Sequence, residues 1–500
     1  MAARGQSPRC TNLKSIATYR LMKPSQILFS FVLASTLPCT AFAAEVPGSF
    51  TRQSPTPVAP NLNQWWQSFH DPQLDALIND ALAGNPTLIS AAARVREARA
   101  RRLATVGDYW PQLQVGGGVT RSLRSQTGQF SQFGDFGQTQ GNEAFNLFDL
   151  ALDASWEIDV FGKNRRLVEA ASAQSDAAEE ARRNVLISLL AEITSNYVEL
   201  RGLQNQLGVL NDNLGSQKKT LELTQSRLQA GLSPELVVAQ AEAQLATTKA
   251  QLPLVESGIA AAIHRLGSLT GQPAGTYVKT LESSRPIPSG PSNVPAGLPS
   301  ELLQRRPDVR QAERNFAAAT AQVGAARAAR FPRFSIGGNI GWQSTEGKSL
   351  TERDSENWTV GPKISIPLFT GGKLKQNQKA AEAVRDQAQA DWDQAVLRAI
   401  EDVESSLVAY RQSQNRLEAL RQAVKASNRS YELANELYKN GLGDFLNVLE
   451  AQRTKLFAQE QVVIGQRQAS LDLIKLYKAL GGGWEEAPAS SKSPPKSPSK

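Results

Sequence analysis

At 500 residues, with 41% hydrophobic and 20% charged residues, the chain is too long for one small core and too apolar for disorder, so two or more folded units are expected. The formal charge of +8 at pH 7 sits at the ends: Arg4, Arg9, Lys14, Arg20 and Lys23 precede residue 44 with no acid among them, and Lys492, Lys496 and Lys500 follow the last acid, Glu486. The body between is neutral, which removes the electrostatic footprint of a nucleic-acid partner.

Residues 1–43 read as an export signal. Residues 27–37 are apolar, Ala41-Phe42-Ala43 before Ala44 has the small-x-small form of a cleavage site, and Met22-Lys23 offers a second start. The apolar stretch, roughly 11 residues, is short of the ~20 that cross a bilayer as a helix, and no other stretch comes closer, so no transmembrane helix is expected. Cys10 and Cys39 both precede the cleavage point, leaving a mature chain without a disulfide. Cys39 is also the candidate lipid-bearing residue of a lipoprotein, although "STLPC" places Thr36 and Pro38 where a lipobox has Leu and a small residue.

Residues 44–71 form an extended amino segment leading to Asp71-Pro72, a cap followed by proline at the first helical position. Residues 72–271 then make one repeat and residues 300–482 a second. "NPTLISAAARVREARA" from Asn85 parallels "RPDVRQAERNFAAATA" from Arg306, "YWPQLQVGGGVTRS" from Tyr109 parallels "RFPRFSIGGNIGWQS" from Arg330, and "SWEIDVFGKNRR" from Ser155 parallels "KISIPLFTGGKLKQ" from Lys363. Each half reads helix, strand, polar loop, strand, long helix, glycine break, returning helix, which is the pattern of an internal duplication. A Pro- and Gly-rich connector, residues 272–299, joins the halves and is expected to pack along the outside of the helices, and residues 483–500 form a Pro-, Ser- and Lys-rich tail expected to be disordered.

Four strands are read from period-two alternation. Leu150, Leu152, Ala154, Trp156 and Ile158 oppose Asp153, Ser155, Glu157 and Asp159. Phe334, Ile336, Ile340 and Trp342 oppose Ser335, Asn339 and Gln343, and Val360, Ile364, Ile366 and Leu368 oppose Thr359, Lys363 and Ser365. The glycines of "PQLQVGGGVTRS" weaken the remaining strand. Strands of about ten residues are long enough to cross a membrane when tilted. If the strands lie in a bilayer, four of them leave two unpaired edges that lipid does not tolerate, so several chains must share one barrel; three chains would give twelve strands and a pore, the number being inferred from closure. The loops at residues 121–148 and 344–357 are expected to face the exterior.

The helices carry heptad seams. Between Gly162 and Gly231 no proline interrupts the chain; Leu186, Leu190, Ile193, Tyr197 and Leu200 are followed by Leu207, Leu214, Leu221 and Leu228. Val396, Ile400, Val403, Leu407 and Tyr410, then Leu417, Val424, Tyr431 and Tyr438, repeat that rhythm, with Ala, Gln and Arg at outer positions. The nearest partner for each seam is the helix returning after its glycine: Leu245, Leu252, Ile259, Ile263 and Leu266 in the first half, Leu446, Leu449, Leu456, Leu471 and Ile474 in the second. Gly231 and Gly441 therefore close two long hairpins.

Over residues 60–482, "WWQSFHDPQLDALINDALAGNPTLISAAARVREARARR", "SWEIDVFGKNRR", "LLQRRPDVRQAERNFAAATAQVGAARAARFPRFSIGGNIGW" and "GPKISIPLFTGGKL" resemble the TolC-like outer-membrane factors of Gram-negative efflux systems, especially the NodT-like branch that works with resistance-nodulation-division pumps. The resemblance implies a mainly α chain forming a homotrimer, with a twelve-stranded barrel in outer-membrane lipid and an α-helical tunnel through the periplasm. It implies that the tips, Gly231, Leu232 and Ser233 in one hairpin and Gly441, Leu442 and Gly443 in the other, meet a periplasmic adaptor, and that Asn447 and Glu450 line the closed aperture. Asn447 stands where the family has an acid, which weakens the negative ring.

Rival readings of single features are bland. His70 and His264 lack metal-ligand spacing, the strand glycines open no helix with a Lys-Ser/Thr pair, and Asp153, Glu157 and Asp159 suit a polar lumen wall. Trp156, Trp342 and Trp358 suit an aromatic girdle, with core packing as the rival. No nucleophile, base and partner occur together, so no enzyme and no cofactor are expected. The leading function is a passive exit duct fed by a proton-coupled inner-membrane pump. The alternatives are a duct for an ATP-driven type I secretion or export system, and a secreted coiled-coil adhesin or fibre.

Overall fold

The computed structural model describes residues 62–123, 144–291, 294 and 304–484. The export signal with Cys39, most of the extended amino segment, most of the first polar loop, part of the connector and the tail from residue 485 lie outside the described residues.

Proline and its preceding cap start the first two helices as the sequence reads. α1 (Pro72–Gly84) is capped by Asp71, whose carboxylate accepts from the Gln73 N–H at 2.9 Å, and α2 (Pro86–Gly107) by Asn85, whose side chain accepts from the Leu88 N–H at 3.0 Å. Then follow β1 (Gln112–Ser122), β2 (Phe145–Ile158), α3 (Lys163–Gln229), α4 (Glu235–Lys249), α5 (Leu252–Thr270) and the short α6 (Val278–Leu281). The second half repeats the plan with α7 (Pro307–Ala328), β3 (Arg333–Ser344), β4 (Glu356–Ser365), α8 (Lys373–Lys439) and α9 (Phe445–Ala479). α3 and α8 are each 67 residues, so each spans about 100 Å at ~1.5 Å per residue.

Two boundaries differ from the reading. The first returning helix is broken at Ala250 and Gln251, because Pro253 in the first turn of α5 has no N–H to donate and its ring crowds the carbonyl one turn back. α9, without proline, runs 35 residues unbroken. β4 ends at Ser365 and not near Leu368, since Pro367 ends the hydrogen-bond ladder.

The strands form one antiparallel sheet in chain order, β1-β2-β3-β4. Its register aligns Leu113 with Ala154 and Gly338, then Val115 with Leu152, Ile340 and Trp358. One face is therefore apolar across all four strands, and the other carries Gln114, Asp153, Asn339 and Thr359 in one row. The apolar face is bare: Val115 is 69% exposed and Trp358 69%. Among the described residues, the outer edges of β1 and β4 have no partner strand.

The main core lies in the helical body and mixes the two halves. Leu74 and Ile78 of α1, Leu190, Ile193 and Tyr197 of α3, Leu266 of α5, and Leu473 and Ile474 of α9 form one cluster. Trp65 stacks on Tyr477 with ring centres 5.1 Å apart. At about 1.5–3 kcal/mol for each large apolar side chain withdrawn from water, this cluster fastens the repeats into one body. The connector is stitched to the same helices: the carbonyls of Leu281 and Pro288 accept from Gln204 and Ser470, each at 2.6 Å.

The seams are partly polar, against the expectation that Gln and Arg occupy outer positions. Gln217 donates to Thr248 at 3.0 Å within the first hairpin, and Asn213 donates to Gln459 at 2.8 Å between hairpins. Arg201 is fully buried and donates to Gln73, Gln204 and the Ser283 carbonyl. Leu446, expected in the second seam, is 53% exposed.

Candidate functional site

The tips are built alike. After α3, Gly231 takes φ +70°, and the N–H groups of Gly231 and Leu232 donate to the carbonyls of Leu228 and Arg227 at 2.9 and 2.8 Å. After α8, Gly441 takes φ +71°, and Gly441 and Leu442 donate to Tyr438 and Leu437 at 3.1 and 2.9 Å. Each glycine ends its helix in a left-handed position that spares the last carbonyls from going unpaired. Pro234 then leads into α4, while the Asp444 carboxylate caps α9 by accepting from the Leu446 N–H at 3.2 Å. Leu232 and Leu442, the residues after the glycines, are 68% and 76% exposed. Ser233 and Gly443 are half-buried beneath them.

Side chains tie one tip to the other. Arg227 donates through Nη1 to the Tyr438 carbonyl at 3.1 Å, and its guanidinium carbon lies 4.8 Å from the centre of the Tyr438 ring. Tyr438 packs on Phe445, the first residue of α9. About two turns further along α9, Arg453 donates to Gln244 at 2.8 Å. None of these arginines stands out in the sequence, because each partner is on the other repeat. Superposing the repeats would have placed Arg227 and Tyr438 beside equivalent glycines.

Asn447 and Glu450 lie on the exposed face of α9, three residues apart, while Phe445, Val448 and Leu449 turn inward. Glu450 makes no ion pair among the described residues, so its carboxylate is open to solvent or to another chain.

In the sheet, Trp156, Trp342 and Trp358 all lie on the apolar face, 38%, 38% and 69% exposed, which disposes of core packing. The Trp156 indole N–H donates to the Tyr109 carbonyl at 2.8 Å, fixing it near the helix end of the sheet. Of the three acids on the polar side, Asp153 remains in the wall. Asp159 instead accepts from the N–H groups of Asn164 and Arg165 and caps α3, and Glu157 lies 3.5 Å from Lys163. His264 sits on the exposed side of α5 and His70 ends the turn before α1. Among the described residues no helix is long and apolar enough to cross a membrane, a statement that leaves strands aside.

Two hairpins with matched tips and a bare four-stranded sheet fit one family, and the sequence comparison agrees: the model described as "Outer membrane efflux protein" matches residues 77–272 and 298–482. The chain belongs to the outer membrane efflux protein family. It is similar to the probable outer membrane lipoprotein SilC of Salmonella typhimurium, with 32% identity over 471 residues, covering 91% of this chain and 97% of that one. It is also similar to the probable efflux pump outer membrane protein TtgC of Pseudomonas putida, with 32% identity over 429 residues, covering 84% and 85%. Among solved structures, the outer-membrane channel OprN superposes with a TM-score of 0.79 at 35% identity, covering 88% of this chain and 95% of that one. This outer membrane efflux protein is accordingly an outer-membrane channel protein with a large periplasmic helical body.

Proposed function

We propose that the chain is the exit duct of a tripartite efflux system: a homotrimer that passively passes drugs or other small molecules delivered by a resistance-nodulation-division pump through a periplasmic adaptor. The observation that carries this reading is the bare apolar face of a sheet whose β1 and β4 edges are both free. An open edge in lipid leaves backbone groups unpaired at several kcal/mol each, and joining β4 of one chain to β1 of the next removes all edges at once. Three sheets give twelve strands, wide enough to keep a water-filled lumen lined by the Asp153, Asn339 and Thr359 face.

The same symmetry brings three copies of Glu450 around one axis. A ring of carboxylates at a narrow aperture attracts cations and gates by charge, and Asn447 leaves the ring at one acid per chain. The exposed Leu232 and Leu442 give the adaptor an apolar grip beside the tip glycines. No cofactor is needed, because the energy enters at the inner membrane. The type I secretion alternative is not favoured by relatives such as TtgC, whose name is that of an efflux-pump component.

The test is capture. Cysteine at Leu232 or Leu442, crosslinked in living cells, is expected to trap a periplasmic adaptor together with a proton-coupled pump, and loss of the chain is expected to raise drug susceptibility. Capture of an ATP-driven transporter, or no change in susceptibility, contradicts the reading.

A further inference from the structure

The body of the chain is neutral, yet its charge is sorted. At the sheet's helix-facing end, where the register pairs Gln112 with Ser155, Ile158 with Phe334 and Arg333 with Ser365, all four helix-to-strand junctions meet. α2 carries Arg99, Arg101 and Arg102 in the two turns before its last, and α3 begins with Lys163, Arg165 and Arg166. α7 and β3 contribute Arg327, Arg330 and Arg333, and α8 begins with Lys373, Lys375 and Lys379. Against these twelve cations, residues 99–112, 159–170, 322–333 and 366–379 hold three acids, Asp108, Asp159 and Glu169, while Glu97, Glu179 and Glu157 outside those stretches pair with Arg101, Arg99 and Lys163 at 2.6, 3.5 and 3.5 Å. Glu169 is taken by Arg166 at 2.7 Å and Asp159 by backbone N–H groups.

Helix energetics do not explain this collar. α3 and α8 both start with cations and have no acid in the first turn, a placement the positive end of the helix dipole opposes. Arg165, Arg327, Lys373 and Lys375 make no ion pair among the described residues, and Arg330 reaches only the neutral Gln378, at 2.8 Å. Between these cations and the strands, each junction carries in sequence an exposed apolar or aromatic side chain: Trp110, Phe161, Phe331, and Leu368 with Phe369. Phe161 and Phe331 stack at 4.8 Å, joining two of the junctions into one surface. Aromatic side chains over a row of unpaired cations is the arrangement that fits a membrane interface, with rings at the headgroup level and charges just beyond it.

We propose that this collar binds the anionic headgroups of phospholipids in the periplasmic leaflet of the outer membrane, with phosphatidylglycerol and cardiolipin as the lipid class. The inference rests on the barrel reading. Arg333 shares the polar face of the sheet, opposite Ser365, and is left to the lumen; Arg327, Arg330, Lys373 and Lys375 are assigned to lipid. The collar anchors the depth of the barrel from its periplasmic side, where no helix crosses the bilayer to do so.

The experiment uses the full chain, extracted from outer membranes as its oligomer and reconstituted in nanodiscs of phosphatidylcholine with phosphatidylglycerol; native mass spectrometry counts the lipids that stay bound. The native protein is expected to retain phosphatidylglycerol over phosphatidylcholine. Each cation near such a surface contributes about fivefold, so the variant Arg327→Gln, Arg330→Gln, Lys373→Gln, Lys375→Gln is expected to lose at least about tenfold of that preference, as is the native protein in 0.5 M salt, where screening shortens to ~4 Å. The variant Arg327→Lys, Arg330→Lys, which keeps the charge, is expected to retain it and shows that the site tolerates substitution. Equal retention of both lipids by the native protein, or an unchanged preference in the glutamine variant, overturns the proposal. So does a glutamine variant with unaltered lipid preference and altered ion selectivity in planar bilayers, which places the cations in the lumen. A native chain absent from the outer membrane refutes the barrel reading and the collar with it, whereas a native oligomer present there without lipid preference overturns the collar alone.

Discussion

Arg227 and Tyr438 join the two hairpin tips: the guanidinium of one donates to the carbonyl of the other at 3.1 Å while lying over its ring. The Tyr438 carbonyl also accepts from the Gly441 N–H, so Arg227 completes the cap of a helix in the other repeat. A charged hydrogen bond contributes about 1.5–3 kcal/mol and a cation–π contact to a buried ring about 0.5–2, and three symmetric copies would act together on one aperture. Arg227→Ala is expected to raise resting conductance severalfold in planar bilayers, and Arg227→Lys, which keeps charge without the fork, to fall between. Conductance equal to the native value would show that the tips are held elsewhere.

The aperture charge is expected to be tunable in both directions. Glu450→Ala removes the proposed carboxylate ring and should increase resting conductance and uptake of bulky drugs, whereas Asn447→Asp would double its charge and should deepen block by divalent cations. Single-channel recordings with added divalent cations read both changes. A Glu450→Ala channel that stays as closed as the native one would sink the assignment.

The tip glycines are expected to differ from helix glycines in the cost of an added methyl group. Gly231→Ala and Gly441→Ala meet open space but hold φ +70° and +71°, so each should destabilise its tip by about 1–2 kcal/mol. Gly208, within α3, also meets open space without a left-handed φ, and Gly208→Ala should stabilise the helix by up to about 1 kcal/mol. Hydrogen exchange resolved along α3 and α8 separates the two outcomes.

Glu460 on α9 supplies a pH dependence. Burial raises its carboxyl above the ordinary value of 4.5. The folded chain therefore holds this proton more tightly than the unfolded chain, and the stability it contributes is full below 4.5 and lost as pH rises through the raised value. Glu460→Gln is expected to raise the melting temperature at pH 8 and leave it nearly unchanged at pH 4. Equal shifts at both would point to packing and not ionisation.

Local chemistry made much of the fold legible. Asp71-Pro72 and Asn85-Pro86 start helices where they read as starts, Gly231 and Gly441 end them, and the alternation around Trp156 and Ile340 places both on one face. Contacts between the repeats were not legible. Arg201, Gln204 and Asn213 look like outer heptad residues, yet are buried because connector carbonyls and Gln459 come from far along the chain to meet them. The break before Pro253 was hidden for a related reason: Leu245, Leu252 and Ile259 keep their sevenfold spacing through it, so periodicity alone reads one helix where backbone hydrogen bonding gives two. The proposed aperture role of Asn447 and Glu450 comes from the resemblance alone, while the Arg227 link needs the two tips in one structure.

Electron microscopy of the protein extracted from outer membranes, with its mass measured in parallel, would show the proposed trimer. Three chains are expected in a hollow cylinder, a twelve-stranded barrel at one end with β4 of each chain paired to β1 of the next, and helices extending roughly 100 Å from it. A monomer, or a solid rod with the β1 and β4 edges left free, would contradict it.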